Sequence, residues 1–213
     1  MIEWDYTLEF CSSVSAFSGL SVAGLVDRMV IRNRQKLPYI PGSSIKGRWR
    51  FYAERLLRSK PSDAFSHELW VHGEGQPICK NREDTCTICR LFGSSAVHSL
   101  IWVGQAELED STRDDVLRLL KLDDNPVLHP DTETRPGIGK SRSRNIALED
   151  HLFLDEVIPP AVFHGKIWIN EPISKTEEQF LRVAGALVDA IGARKAIGRG
   201  TLIGGIRISG GKP

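Results

Sequence analysis

The sequence predicts one α+β domain over residues 1–213, with a ferredoxin-like core in the order strand, helix, strand, strand, helix, strand. RNA-recognition modules use the same order, so the core is also RRM-like. Three observations carry this expectation. The first ten residues alternate apolar and polar without fault, as a half-buried strand does. Two later segments repeat apolar residues at helical spacing, and strand-like runs follow them. Two further stretches, about 60–98 and about 110–160, fit neither half of the pattern and read as insertions.

Taken in order, Ile2, Trp4, Tyr6, Leu8 and Phe10 form the inward face of the first strand, with Glu3, Asp5, Thr7 and Glu9 opposite. The first helix is expected over Ser43–Ser59, with Ile45, Trp49, Tyr52 and Leu56 as its apolar stripe. Strands are expected over Leu100–Leu108 and Ala161–Ile169. The second helix, Ser174–Ala190, opens on the capping-box pattern "SKTE". It repeats Phe180, Val183, Ala184, Leu187, Val188 and Ile191 on one face and stops at Gly192. "TLIGGIRIS", residues 201–209, closes the fold as a strand.

Hydrophobic residues at 41% suffice for a core, and no apolar run approaches the length of a membrane span. Glu3 and Asp5 stand where a signal peptide would be basic and then apolar. A cytoplasmic protein with no membrane partner is expected. Net charge is +1, but the charge is segregated: nine basic residues and one acid lie between Arg28 and Arg58. Four basic residues and no acid lie between Arg135 and Arg144, and five and none between Arg194 and Lys212. Seven acids fall between Glu107 and Asp124. That distribution suits a face that meets a polyanion.

The stretch "LPYIPGSSIKGRWR" places a turn at Pro41-Gly42 and then a helix start that Ser43 or Ser44 can cap. Free backbone N–H groups and the positive end of the helix dipole suit a phosphate there, with Lys46, Arg48 and Arg50 adding charge. In "TRPGIGKSRSRN", Lys140, Arg142 and Arg144 alternate, so on an extended strand they would share one backbone-tracking face. In "GARKAIGRGT", Arg194, Lys195 and Arg199 supply charge while Gly198 and Gly200 permit close backbone approach.

Of four cysteines, Cys11 stands apart and three cluster, which favours a metal over a disulfide framework. Cys86 and Cys89 form a C-x-x-C knuckle, Cys79 is a third ligand, and His72, preferred to His67, completes a closed tetrahedral zinc site of structural type. Three reduced thiols without metal, or a redox pair, are the alternatives; the redox pair lacks the strand-to-helix setting such motifs use. The six histidines form no H-E-x-x-H, and neither a P-loop nor a G-x-S-x-G is present.

"LPYIPGSSIKGRWR", "CTICRLFGSS", "GIGKSRSRNIALEDHLFLDEVIPP" and "GARKAIGRGTLIGG" together resemble the repeat-associated mysterious protein (RAMP) superfamily. More narrowly, they are similar to the backbone subunits of type III CRISPR effector complexes. The resemblance covers most of the chain. It implies an RRM-like core with a zinc-bearing insertion and a thumb-like insertion. It also implies binding to a CRISPR guide RNA and a target RNA, and assembly with other subunits and with copies of itself. Many members cut target RNA with a loop aspartate upstream of the "PGSS" motif. The only acid of that loop here is Asp27, which could otherwise simply pair with Arg28 or Arg32. With no second acid in its loop, Asp27 would act with a divalent cation, magnesium or manganese, in attack by the RNA 2′-oxygen. The alternatives are a non-catalytic RNA-binding scaffold of the same complex and a guide-processing endoribonuclease using His98, His129 or His151.

Overall fold

The computed structural model describes residues 1–59, 69–73, 79, 84–122 and 129–212, so His67 lies outside the described residues. In chain order the elements are β1 (Ile2–Phe10), β2 (Tyr39–Ile40), α1 (Gly42–Arg58), α2 (Thr87–Phe92), β3 (Ile101–Val103) and β4 (Ala106–Leu108). These are followed by α3 (Asp110–Leu120), β5 (Glu133–Lys140), β6 (Ala147–Val157), β7 (Val162–Ile169), α4 (Lys175–Ala186) and β8 (Leu202–Lys212). A 3₁₀ turn spans Lys195–Ile197.

Among the described residues, six strands form one antiparallel sheet in the order β2-β4-β7-β1-β8, with β3 also paired to β7. β1 is an interior strand, paired with β7 on one side and β8 on the other. Its even-numbered residues Trp4, Tyr6, Leu8 and Phe10 are buried, and its odd-numbered residues face outward. The expected strand over Leu100–Leu108 is interrupted at Gly104-Gln105 into β3 and β4. Tyr6 donates its hydroxyl hydrogen to the Gly104 carbonyl oxygen at 2.8 Å, which holds that break in place.

α1 and α4 bury Ile45, Trp49 and Ala53, and Phe180, Leu181 and Ala184, in the same core as β1. Trp49 is its centre: the indole N–H donates to the Leu181 carbonyl at 3.0 Å, and the ring meets Phe92 of α2 edge-on at 5.5 Å. The expected stripes shift slightly. Ala53 is buried where Tyr52 and Leu56 are half-buried, and Leu181 packs inward while Val183 and Leu187 are exposed. α4 has the expected capping box between Ser174 and Glu177, yet ends at Ala186, before the expected Ala190. The chain leaves the helix early because Ala190 pairs with Thr201 and Gly192 turns with a φ of 106°.

β5 and β6 form a separate two-stranded hairpin within the second expected insertion, and α3 precedes it. Among the described residues no helix is long and apolar enough to cross a membrane.

Candidate nucleic-acid interface and metal centre

The helix start at the "PGSS" motif differs from expectation in one respect. The N-cap is Pro41, no side chain among the described residues caps the helix, and Ser43 and Ser44 are exposed in the first turn. Gly42 is required there: a Cβ would lie 2.1 Å from the Val103 carbonyl oxygen. The first-turn N–H groups therefore lack a capping side chain and border a groove of ≈ 500 Å³. Three segments wall it: Ser15–Phe17, the start of α1, and Gly192–Lys195. Ser43, Ser44, Arg48 and Lys195 line it, together with Phe51. Arg48 is held by the Ala190 carbonyl (3.1 Å) and Asp189 (3.0 Å), and lies 4.9 Å from both the Phe51 and Tyr52 ring centres. Such a cleft offers hydroxyls, cations and a half-exposed aromatic ring to a nucleotide.

Lys46 and Arg50, the other two basic residues expected at this helix start, face elsewhere. Lys46 donates to Ser99 Oγ at 2.6 Å and the Ile101 carbonyl at 2.8 Å; burial, then the nearby Arg50 charge, lowers its pKa. Arg50 binds Glu54 and the Gly93 carbonyl. Neither lines the groove.

The expected metal ligands converge. Donor atoms of His72, Cys79, Cys86 and Cys89 all lie within 4.8 Å of one another. His72 Nδ1 is 3.2 Å from Cys86 Sγ, 3.7 Å from Cys89 Sγ and 3.8 Å from Cys79 Sγ. A tetrahedral zinc ion spaces its nitrogen and sulfur donors by about 3.5–3.8 Å, so the cluster could hold such a metal. Backbone N–H groups support the sulfurs: Cys86 N–H donates to Cys79 Sγ, and Cys89 N–H to Cys86 Sγ, each at 3.4 Å. Burial, then the Cys86 and Cys79 sulfurs, push the Cys89 thiol up to about 12. A bound cation reverses that balance and favours the thiolate. The cluster braces two helices, since Arg50 reaches Cys89 from α1 and Arg90 pairs with Glu177 at the start of α4.

Asp27 is exposed and sits where the first loop meets the β5–β6 hairpin. Its Oδ2 accepts a hydrogen bond from the Leu154 N–H at 2.7 Å, and its own N–H donates to the Leu154 carbonyl at 2.9 Å. Neither expected cationic partner is paired with it: Arg32 binds Asp131 and Glu156, while Arg28 lies near the rings of Phe17 and Phe153.

The three expected basic residues of the hairpin do not lie along one strand face. β5 ends at Lys140, and Arg142 and Arg144 sit in the turn before β6. Ser141 accounts for this, because its carbonyl accepts the Asn145 N–H at 2.8 Å and Asn145 takes a left-handed φ of 53°. A strand there is replaced by a tip that fans its charges outward. In the last loop, Lys195 lines the groove, but Arg199 is 9% exposed and donates to Asp155 Oδ2 at 2.8 Å. Arg194 approaches the same oxygen at 3.3 Å and lies 4.8 Å from the Phe153 ring centre.

Sequence reasoning missed Asp155 and Glu156. Both are buried charges at the hairpin base, 1% and 4% exposed. The available signal was their place in "LFLDEVIPP", acids embedded in an apolar run. Of the histidines considered for catalysis, His98 and His151 are exposed. His129 packs beside Arg32, and burial followed by that charge lowers its pKa.

Residues 10–203 match the sequence profile of the RAMP superfamily, and the chain belongs to that superfamily. In fold it is similar to a chain of the cryo-EM structure of the Type III-B Cmr-beta bound to cognate target RNA. The TM-score is 0.61 over 98% of this chain and 97% of that one, at 12% identity. No curated protein matches the chain in sequence.

Proposed function

We propose that this chain is a guide-RNA-binding backbone subunit of a type III CRISPR interference complex in the cytoplasm, and that it cuts target RNA through Asp27. The observation that carries the reading is the placement of Asp27: an exposed carboxylate fixed by the Leu154 N–H at the base of a basic-tipped hairpin. RAMP membership and the likeness to a chain of a target-bound type III-B structure support it. The strand order supports a ferredoxin-like, RRM-like core, with the hairpin as the thumb-like insertion. Residues 60–98 are then the zinc-bearing insertion, with structural zinc on His72, Cys79, Cys86 and Cys89.

In this reading the guide backbone follows the groove at Ser43, Ser44, Arg48 and Lys195, and Lys140, Arg142 and Arg144 at the hairpin tip meet the guide–target duplex. Phosphate contacts suit a guide whose sequence varies while its backbone does not. Lys46, Arg50, Arg194 and Arg199 shape the surface from within. Other subunits and copies of the chain continue the assembly along the RNA.

Asp27 then acts where the target backbone is bent. The ribose 2′-oxygen attacks the adjacent phosphorus and gives its proton to the Asp27 carboxylate; the bond to the 5′-oxygen breaks, leaving a 2′,3′-cyclic phosphate, and the freed oxygen takes a proton from water to become a 5′-hydroxyl. The same carboxylate could hold a hard divalent cation. Magnesium or manganese held by Asp27 would compensate charge developing on the phosphate. Asp27→Asn keeps the shape and loses the rate. Cleavage is expected to fall about 100-fold or more while guide affinity stays within about twofold. A 2′-deoxy sugar at the scissile position blocks cutting, and a chelator stops it without releasing guide. Normal cleavage by Asp27→Asn would leave a non-catalytic scaffold as the function.

A further inference from the structure

The loop that carries Asp27 is held to the hairpin by a buried carboxylate, and the hydrogen-bond pattern shows how. Backbone pairing ties Asp27 and Arg28 to β6: Asp27 N–H meets the Leu154 carbonyl, and Glu156 N–H meets the Arg28 carbonyl at 3.0 Å. Val30, 2% exposed, comes next, and its N–H donates to Glu156 Oε2 at 2.7 Å. The side chain thus takes over where the backbone ladder stops, satisfying a buried donor that needs a partner. The second oxygen, Oε1, accepts from Arg32 Nη2 at 2.9 Å and from Thr132 Oγ1 at 2.5 Å. Arg32 is itself bound at Nη1 by Asp131 at 2.8 Å. Glu156 therefore grips the loop on the C-terminal side of Asp27 and joins it to both ends of the hairpin, through its own strand and through Thr132 next to β5.

The preceding residue acts on another segment. Asp155 Oδ2 binds Arg199 and lies 3.3 Å from Arg194 Nε, so it holds the basic loop after α4, and Arg199 also reaches Ser15 Oγ at 3.2 Å. Three consecutive residues of β6 thereby hold the candidate cleavage carboxylate, the basic loop and the rest of the first loop in one arrangement.

We propose that Glu156 is a positioning residue for Asp27: it fixes the loop so that the carboxylate keeps a set place against the hairpin. The functional part of this inference rests on the catalytic reading of Asp27. The tether itself does not. Two measurements on the full chain assembled with guide RNA separate them. Amide hydrogen exchange reports the tether directly. Glu156→Gln and Glu156→Ala should speed exchange at residues 27–31 about tenfold, the alanine more, while the amides of β1 and α1 keep wild-type protection. Target cleavage reports its consequence. It should fall about 10- to 100-fold in Glu156→Ala with guide affinity unchanged, and the amide variant should recover part of the loss, as expected when a reactive group is displaced by a fraction of an ångström to an ångström. In an Asp27→Asn background, Glu156→Ala should add no further loss.

Unchanged exchange in both variants overturns the tether. Faster exchange with wild-type cleavage overturns the positioning role. Loss of protection throughout the chain, with guide binding and cleavage falling together, shows a general structural role and also overturns it. If Asp27→Asn still cleaves, the catalytic reading fails on its own evidence, and the exchange data continue to decide whether Glu156 holds the loop.

Discussion

Glu156 is buried, and burial alone would raise its pKa. The hydrogen bonds from Thr132, Arg32 and the Val30 N–H together outweigh that effect and hold the pKa below its ordinary value of 4.5. A carboxyl lowered in the folded state stabilises fully above its unfolded pKa and loses that contribution as pH falls through the folded one. Denaturant midpoints between neutral pH and about 3 should therefore drop below about pH 4.5, and Glu156→Gln should reduce that drop. The glycines of the last loop test a second residue-scale point. Gly200 has a φ of 72° and a Cβ there would lie 1.9 Å from the Ile191 carbonyl oxygen, whereas Gly198, at 83°, has open space. Gly198→Ala should cost about 1–2 kcal/mol of backbone strain. Gly200→Ala should cost clearly more, as chemical denaturation of the two variants will show.

At the scale of elements, the helices explain why the His72–cysteine cluster matters. α2 is short, and its N-cap is Cys86, a proposed ligand. Through Phe92 it packs on Trp49 of α1, and through Arg90 it pairs with Glu177 of α4. Elemental analysis should find about one zinc per chain, as for a single tetrahedral site. Cys86→Ser should lower the thermal midpoint and release the metal, and a metal-free protein of wild-type stability would remove zinc from the account. The hairpin tip behaves differently. It is held by local turn bonds and carries exposed Ile138 and Leu152 on its flanks. Replacing Ser141–Ile146 by a two-residue turn should shift the thermal midpoint by about 2 °C or less. If the hairpin is the thumb-like element, the same change should alter the spacing of target cleavage more than the affinity for guide.

For the whole molecule, segregated charge on a nearly neutral chain should make the proposed RNA affinity salt-dependent. Plots of log affinity against log salt should be linear and steep, and removing Arg48 or Lys195 should reduce the slope by about one each, for all guide sequences alike. A flat response would place the RNA elsewhere. On the open face of the sheet Asp5 and Glu107 are exposed, while Glu3 is taken by Lys166 and the Trp168 indole and Glu9 by Arg207. The proposed RNA contacts lie instead on the loops and the helix start.

The alternation of Ile2–Phe10, the capping box at Ser174 and the C-x-x-C pair were readable from the sequence because periodicity, capping and knuckle geometry depend on residues a few positions apart. So was the nearness of His72 to the cysteines, whose donor atoms converge with its ring nitrogen. Asp27 and the basic hairpin could be named by resemblance and residue type, but their surroundings could not. The direction of each cation on α1 depends on what that helix packs against: Arg48 faces the groove, while Lys46 and Arg50 turn to Ser99, Ile101 and Gly93. Asp155 and Glu156 read as ordinary acids of a charged insertion. Their roles arise when residues such as Val30 and Glu156, 126 positions apart, are brought together. Only the tertiary structure decides which buried N–H or guanidinium lacks a backbone partner, and hence which carboxylate must supply one.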